Sequence, residues 1–242
     1  MPHRIHKTGR MAALLLGLAL ALGARADANT VRHLLEQRQP KIAGHILSVT
    51  PAHALGLYEI YTDDRQIIYT DEGVNYLFAG DIHDARTLKD LTEERLATLS
   101  AIPPSSLPLN QALKRVKGNG KRTLVLFSDP DCPYCRKLEK ELTGITDVTI
   151  YTFLYPIDSL HPKASEHSRD IWCAPDRQKA WEDYLLHNVV PPKKECANPL
   201  QQVQDLGTKY RLTGTPTLVF GDGRVVAGLL RRDELEKALG PH

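Results

Sequence analysis

The chain has 242 residues, 42% hydrophobic and 25% charged, with a formal net charge of +2. That length allows one large or two modest domains, and the near-neutral balance offers no basic surface of the kind that marks a nucleic-acid partner. The ten histidines are scattered, with no pair four apart on a helical face, so each reads as a surface or satisfied core residue and no metal or cofactor is expected.

Residues 1–26 read as a secretory signal peptide. Arg4, Lys7 and Arg10 form a basic start, Met11 to Gly23 is apolar but too short to span a bilayer, and Ala24-Arg25-Ala26 matches a small-residue cleavage site. An uncleaved anchor is the alternative. Cleavage after Ala26 removes four cations and no acid, taking the formal charge from +2 to −2. No later apolar run is long enough to span, so no stable membrane insertion is expected.

Residues 27–87 hold a short helix candidate, Thr30 to Gln37, followed by β-prone runs at His45–Thr50, Leu57–Thr62, Gln66–Thr70 and Asn75–Phe78. Asp63-Asp64, Asp71-Glu72-Gly73 and Gly80-Asp81 punctuate them as turns. This predicts a small antiparallel sheet of marginal core size, which a dimer would bury further. Residues 88–116 read as a helical linker, with Leu88, Leu91, Leu96 and Leu99 near helical spacing, a break at Pro103-Pro104, and helix again over Leu107–Val116. Such a segment serves as a semi-rigid spacer or packs on one domain. Residues 117–242 alternate: strand Thr123–Phe127, helix from Cys132 to Leu142, strand Val148–Leu154, helices near 163–172, 176–187 and 198–211, a hairpin around Gly221-Asp222-Gly223, and a closing helix Arg232–Leu239. Strand, helix, strand, helical insert, hairpin, helix is a thioredoxin-like order in an α/β layer architecture.

Cys132-Pro133-Tyr134-Cys135 lies where an apolar strand gives way to a helix. In that context two cysteines three positions apart read as a redox dithiol; half of a zinc site or two inert thiols are the alternatives. The thiolate is the nucleophile in thiol–disulfide exchange, and a helix N-terminus favours its charge. Pro133 suits the first helical position, where a missing N–H costs nothing. Cys132 is therefore expected to attack and Cys135, one turn deeper, to resolve the mixed disulfide. Asp129 and Asp131, just upstream, read as solvated turn acids, with tuning of the dithiol as the alternative. All four cysteines lie in the exported part, and the even count favours disulfides over a thiolate metal site. Cys173 and Cys196 flank a helical segment containing Trp181, and the natural reading is a structural disulfide pinning the insert; a second redox relay is the alternative. Thr215-Pro216, opening a strand, is a candidate cis bond that would present Thr215 backbone groups to a substrate strand.

The segments Leu57–Ile60, Ile68–Glu72, Tyr76–Asp81, Leu91–Arg95, Phe127–Cys135, Ile171–Ala174 with Lys179–Trp181, and Gly214–Thr217 together make the chain similar to bacterial periplasmic disulfide isomerases of the DsbC/DsbG type. The resemblance implies an α+β N-terminal dimerisation domain with a cystatin-like sheet, a linker helix, and an α/β thioredoxin-like catalytic domain with a helical insert. It implies a V-shaped homodimer whose cleft takes unfolded or misfolded exported proteins, and a membrane reductase of the DsbD type as electron donor. On this sequence the family's catalytic pair falls on Cys132 and Cys135, its cis-proline loop on Thr215 and Pro216, and its structural disulfide on Cys173 and Cys196. One departure stands out: better-known members carry Gly-Tyr between the active cysteines, and this chain carries Pro133-Tyr134, as glutaredoxins do. The dipeptide tunes the reduction potential, so the redox poise is open. The expected function is disulfide isomerisation; a dithiol oxidase, a pathway-specific reductase and a chaperone holdase are the competing readings.

Overall fold

The computed structural model describes residues 26–241, so the expected signal peptide lies outside the described residues apart from Ala26. Two sheets organise them. The first is an antiparallel meander in sequence order, β1 (Ile46–Pro51), β2 (Tyr58–Thr62), β3 (Ile67–Thr70) and β4 (Leu77–Ala79). Helix α1 (Ala28–Arg38) starts where the Asp27 carboxylate accepts the Thr30 N–H at 2.8 Å, and a short α2 (Pro40–Ala43) follows. Val31 and Leu35 of α1 pack against Ile46, Val49, Tyr58 and Ile60 on one face of the meander. On the opposite face Tyr61, Ile67 and Tyr69 meet Leu96 and Leu99 of α3 (Leu91–Leu99). Glu59 faces α3 from the middle of β2 and is buried. Its charge is met by Arg95 at 2.6 Å and by the Thr50 hydroxyl at 2.7 Å, as a buried carboxylate requires.

The expected helix over Leu107–Val116 does not form. Single 3₁₀ turns occupy Pro104–Ser106 and Leu109–Gln111, and Leu113–Lys117 is a strand, β5. Pro103, Pro104 and Pro108 withhold the N–H groups a helix needs. The Leu113-Lys114-Arg115-Val116-Lys117 run buries alternate positions, with Leu113 inside and Lys114 and Val116 outside. β5 covers the edge of β7 (Val148–Leu154) in an antiparallel pairing from Leu113↔Thr152 to Lys117↔Val148. The segment after α3 is thus docked: Ile102 and Leu107 sit in the second domain's core, and the Ile102 N–H donates to Gly223 O at 2.8 Å.

The second sheet runs β5-β7-β6-β8-β9, with β6 at Arg122–Ser128, β8 at Thr217–Phe220 and β9 at Val225–Ala227. β6 lies parallel to β7 and antiparallel to β8, so its backbone is paired on both sides. Side-chain alternation divides its residues between two layers. Leu124 and Leu126 join Leu138 and Leu142 of α4 (Pro133–Thr143) and Leu235 of α8 (Arg232–Leu239). Val125 and Phe127 join Phe153, Tyr155 and Val203 of α7 (Leu200–Lys209), with the Phe127 and Phe153 rings stacked at 4.9 Å. A strand buried on both faces reads as a continuous apolar run, which is why Thr123–Phe127 was legible. The insert consists of α5 (Ala164–Trp172) and α6 (Arg177–His187), closed around Trp181.

Candidate functional site

β6 ends at Ser128, a three-residue turn follows, and α4 begins at Pro133 with Cys132 as its N-cap. The turn is held by one residue. The buried Asp129 carboxylate accepts the backbone N–H of Asp131 at 2.8 Å and of Ile157 at 2.8 Å, and bonds His161 Nδ1 at 2.9 Å. Its carbonyl accepts the Cys132 N–H at 3.2 Å. Asp131 is tied just as firmly, to His167 Nδ1 at 2.8 Å and to the Tyr184 hydroxyl at 2.6 Å. The reading of both acids as solvated is corrected here: side-chain exposure is 0% at Asp129 and 17% at Asp131, because the helical insert folds over the turn. Asp131 pushes the Tyr184 phenol upward, after burial, which acts first.

Thr215–Pro216 is cis, and its loop meets the dithiol: the Cys132 thiol donates to Thr215 O at 3.4 Å. Neither Cys132 nor Cys135 is disulfide-bonded. Interaction with the Cys135 thiol first, and then with Thr215 and the backbone of Cys135 and Tyr134 at the start of α4, brings the Cys132 pKa down to about 5 against the opposing effect of burial. Cys132 is the N-cap residue of α4, and although its side chain makes no capping hydrogen bond, the unpaired N–H groups of the first turn favour a negative sulfur there. Cys135 moves the other way. Burial and the neighbouring Cys132 sulfur push its thiol far up, against weaker support from the Ser128 side chain and the Asp129 backbone. The two thiols are thus pushed in opposite directions, Cys132 toward the thiolate and Cys135 toward the retained thiol, as the chemistry of attack and resolution requires.

Tyr134 is exposed, and Lys137 Nζ lies 5.3 Å from its ring centroid. Cys173 and Cys196 form a disulfide with a Cα–Cα distance of 5.7 Å, tying the end of α5 to the loop before α7. Six of the eight expected site residues thus gather at one place, Cys132, Pro133, Tyr134, Cys135, Thr215 and Pro216, and the other two form the separate disulfide. Under the insert, the Trp181 indole donates to buried Glu139 of α4 at 3.3 Å, and Arg115 pairs with Glu139 at 2.5 Å. Sequence reasoning missed His161, His167 and Tyr184. Their only sequence signal is the pair of aspartates before Cys132, whose partners lie 32 to 53 residues downstream. Among the described residues, Asp81, His83 and Asp90 have metal-ligating composition, with ligand atoms within 4.8 Å of one another. Asp90 is already engaged as the α3 N-cap, accepting the Glu93 N–H at 2.9 Å.

The thioredoxin-like domain family matches residues 109–241. The chain belongs to this family. The N-terminal domain of disulfide bond isomerase proteins matches residues 22–93. A probable thiol:disulfide interchange protein DsbC from Bordetella parapertussis is 43% identical over 184 residues, covering 76% of this chain and 65% of that protein. The chain therefore spans about two thirds of the length of such relatives. The thiol:disulfide interchange protein DsbC of Escherichia coli is 24% identical, with 86% of this chain and 87% of that protein covered. A crystal structure of a disulfide interchange protein from Neisseria gonorrhoeae is 43% identical with a TM-score of 0.54, covering 55% of this chain and 96% of that one. The thioredoxin-like domain and the isomerase-type N-terminal domain together bear out the expected fold class.

Proposed function

We propose that this chain is a disulfide isomerase of exported proteins, acting in the oxidising bacterial periplasm. The observation that carries the reading is the division of the dithiol: an acidic Cys132 against the Thr215 backbone, and a buried, protonated Cys135 behind it. The Cys132 thiolate attacks a client disulfide, forming a mixed disulfide and releasing one client thiolate. A second client thiolate then attacks the client sulfur of the mixed disulfide, returning the Cys132 thiolate and leaving a rearranged bond with no net redox change. If no client thiolate arrives, Cys135 gives up its proton and attacks Cys132 Sγ, which reduces the client and oxidises the enzyme. A membrane reductase of the DsbD type then restores the dithiol.

The proposed assembly is a homodimer through the N-terminal sheet. β4 is an edge strand whose Leu77 and Phe78 are 39% and 49% exposed, beside Tyr76 at 69%. An open apolar edge of this kind favours strand addition by a second copy. Unfolded exported proteins are the proposed clients. Scrambled ribonuclease refolding tests the activity: recovery that depends on Cys132 supports isomerisation, and its absence from the intact protein with a reducing buffer contradicts it. The same low Cys132 pKa favours a second reading, a dithiol oxidase, because stabilising the reduced form makes a disulfide more oxidising. Acid trapping of the thiols in cells separates the two, since an isomerase rests reduced and an oxidase rests oxidised.

A further inference from the structure

The turn before Cys132 contains a charge arrangement that the exchange steps above leave unused. Asp129 is fully buried and takes two backbone N–H donors and one imidazole nitrogen. Its backbone carbonyl meanwhile fixes the Cys132 N–H. Two amide hydrogen bonds explain the shape of the turn but do not neutralise a buried carboxylate, and a buried charge left unpaired is costly. His161 is the titratable group bonded to it. The loop that carries the ring is fixed through its backbone: the His161 backbone N–H donates to Ile157 O at 2.9 Å, and the Ile157 backbone N–H donates to Asp129.

The groups that act most strongly on His161, led by its hydrogen-bond partner Asp129, share one sign. Asp129 and Asp131 come from the turn and Cys132 from the start of α4, and all three favour its protonated form. The neighbouring Asp158 is engaged with Ser165, at 3.0 Å to its N–H and 2.6 Å to its hydroxyl. The α5 and α6 groups closest to the turn, His167 and Tyr184, are spent on Asp131. Arg136 of α4 lies over the Tyr184 ring at 4.8 Å and bonds Tyr184 O and the Asn188 side chain.

We propose that His161 is a positioning residue of the dithiol site: anchored by the buried Asp129 carboxylate, its imidazolium interacts with the Cys132 sulfur and stabilises the thiolate over both the thiol and the mixed disulfide. The Asp129 hydrogen bond raises the His161 pKa, which extends the charged form toward neutral pH. Below the midpoints of both groups Cys132 is a thiol; between them the imidazolium–thiolate pair is complete; above the His161 midpoint only the helix N-terminus, Cys135 and Thr215 remain to hold the thiolate. The consequence is a reduction potential that depends on a residue 29 positions downstream of the attacking cysteine. This inference rests on Cys132 being the attacking thiol.

The test is the ultraviolet thiolate titration of the reduced full-length protein, with its equilibrium constant against glutathione, for the intact chain and His161→Gln. Glutamine keeps a hydrogen-bond donor toward Asp129 and removes the charge. The expected result is a Cys132 midpoint raised by about one unit and a tenfold shift of the glutathione equilibrium toward the disulfide, or about 30 mV. A folded variant with both quantities unchanged within twofold overturns the inference. If the variant does not fold, the intact protein supplies the answer. The His161 imidazole midpoint, read by NMR, must fall when Cys132 is alkylated, because coupling between two sites is reciprocal. An unmoved midpoint overturns the inference. If Cys132 in the intact chain is no more acidic than Cys135, the reading of the attacking thiol fails instead, and the two failures are distinct.

Discussion

Cys132 and Cys135 stand three residues apart at the start of α4 as free thiols, whereas Cys173 and Cys196, 23 residues apart, are joined. Both pairs belong to one domain, and both are largely buried except at Cys196. Their surroundings separate them. The first pair sits at a helix N-terminus, where backbone N–H groups favour one anion and burial penalises a second. The second pair closes a loop around α6 and Trp181, with Cys173 following the last turn of α5. Sulfur chemistry in this chain is therefore assigned by the local field and not by spacing to the nearest cysteine.

That contrast is open to attack from several sides. The largest expected effect is on activity. Cys132→Ala should reduce disulfide exchange to background in a ribonuclease refolding assay, whereas Cys135→Ala should retain attack and accumulate mixed disulfides on a non-reducing gel. Retained exchange without Cys132 would erase the division of labour. Next is stability. Replacing Cys173 and Cys196 together with serine should cost roughly 3 kcal/mol in denaturant unfolding, while exchange by the remaining pair persists. A loss of exchange with unchanged stability would turn the second pair into a redox relay. Third, Phe78→Asp should shift the protein from dimer to monomer in light scattering at micromolar concentration, and a monomeric intact chain would dismiss the β4 interface.

A further effect is a pH dependence of the reduced form. The folded Cys132 pKa, about 5, lies below the unfolded value, which is about 8.5. Its stabilisation is thus complete above the unfolded value and is lost as pH falls through about 5. The gap in melting temperature between reduced and oxidised protein should change between those limits. Cys173 and Cys196, being joined, contribute nothing to it.

The strands that could be read from sequence are those with a one-residue logic. Thr123–Phe127 and Val148–Leu154 are apolar on both faces, and Thr217–Phe220 is bracketed by Pro216 and Gly221. β5 was not legible, because only Leu113 of its five residues is buried and its cations mimic an exposed helix. It is a strand because β7 offers an edge, a fact of tertiary structure. The site divides in the same way. Cys132, Pro133 and Cys135 declare themselves by spacing at a helix start. The insert's contribution does not: nothing near Asp129 or Asp131 announces that residues 32 and 36 positions away will cover them. A polar turn reads as solvated until the elements that bury it are placed.

The most direct test of the central claim is the rate at which iodoacetamide modifies each cysteine of the reduced, full-length protein, resolved by mass spectrometry across pH 4 to 9. The division described here predicts a Cys132 rate that rises with a midpoint near 5, Cys135 silent throughout, and Cys173 and Cys196 protected as a disulfide. Equal rates at Cys132 and Cys135, or a Cys132 midpoint near the ordinary thiol value of about 8.5, would contradict it.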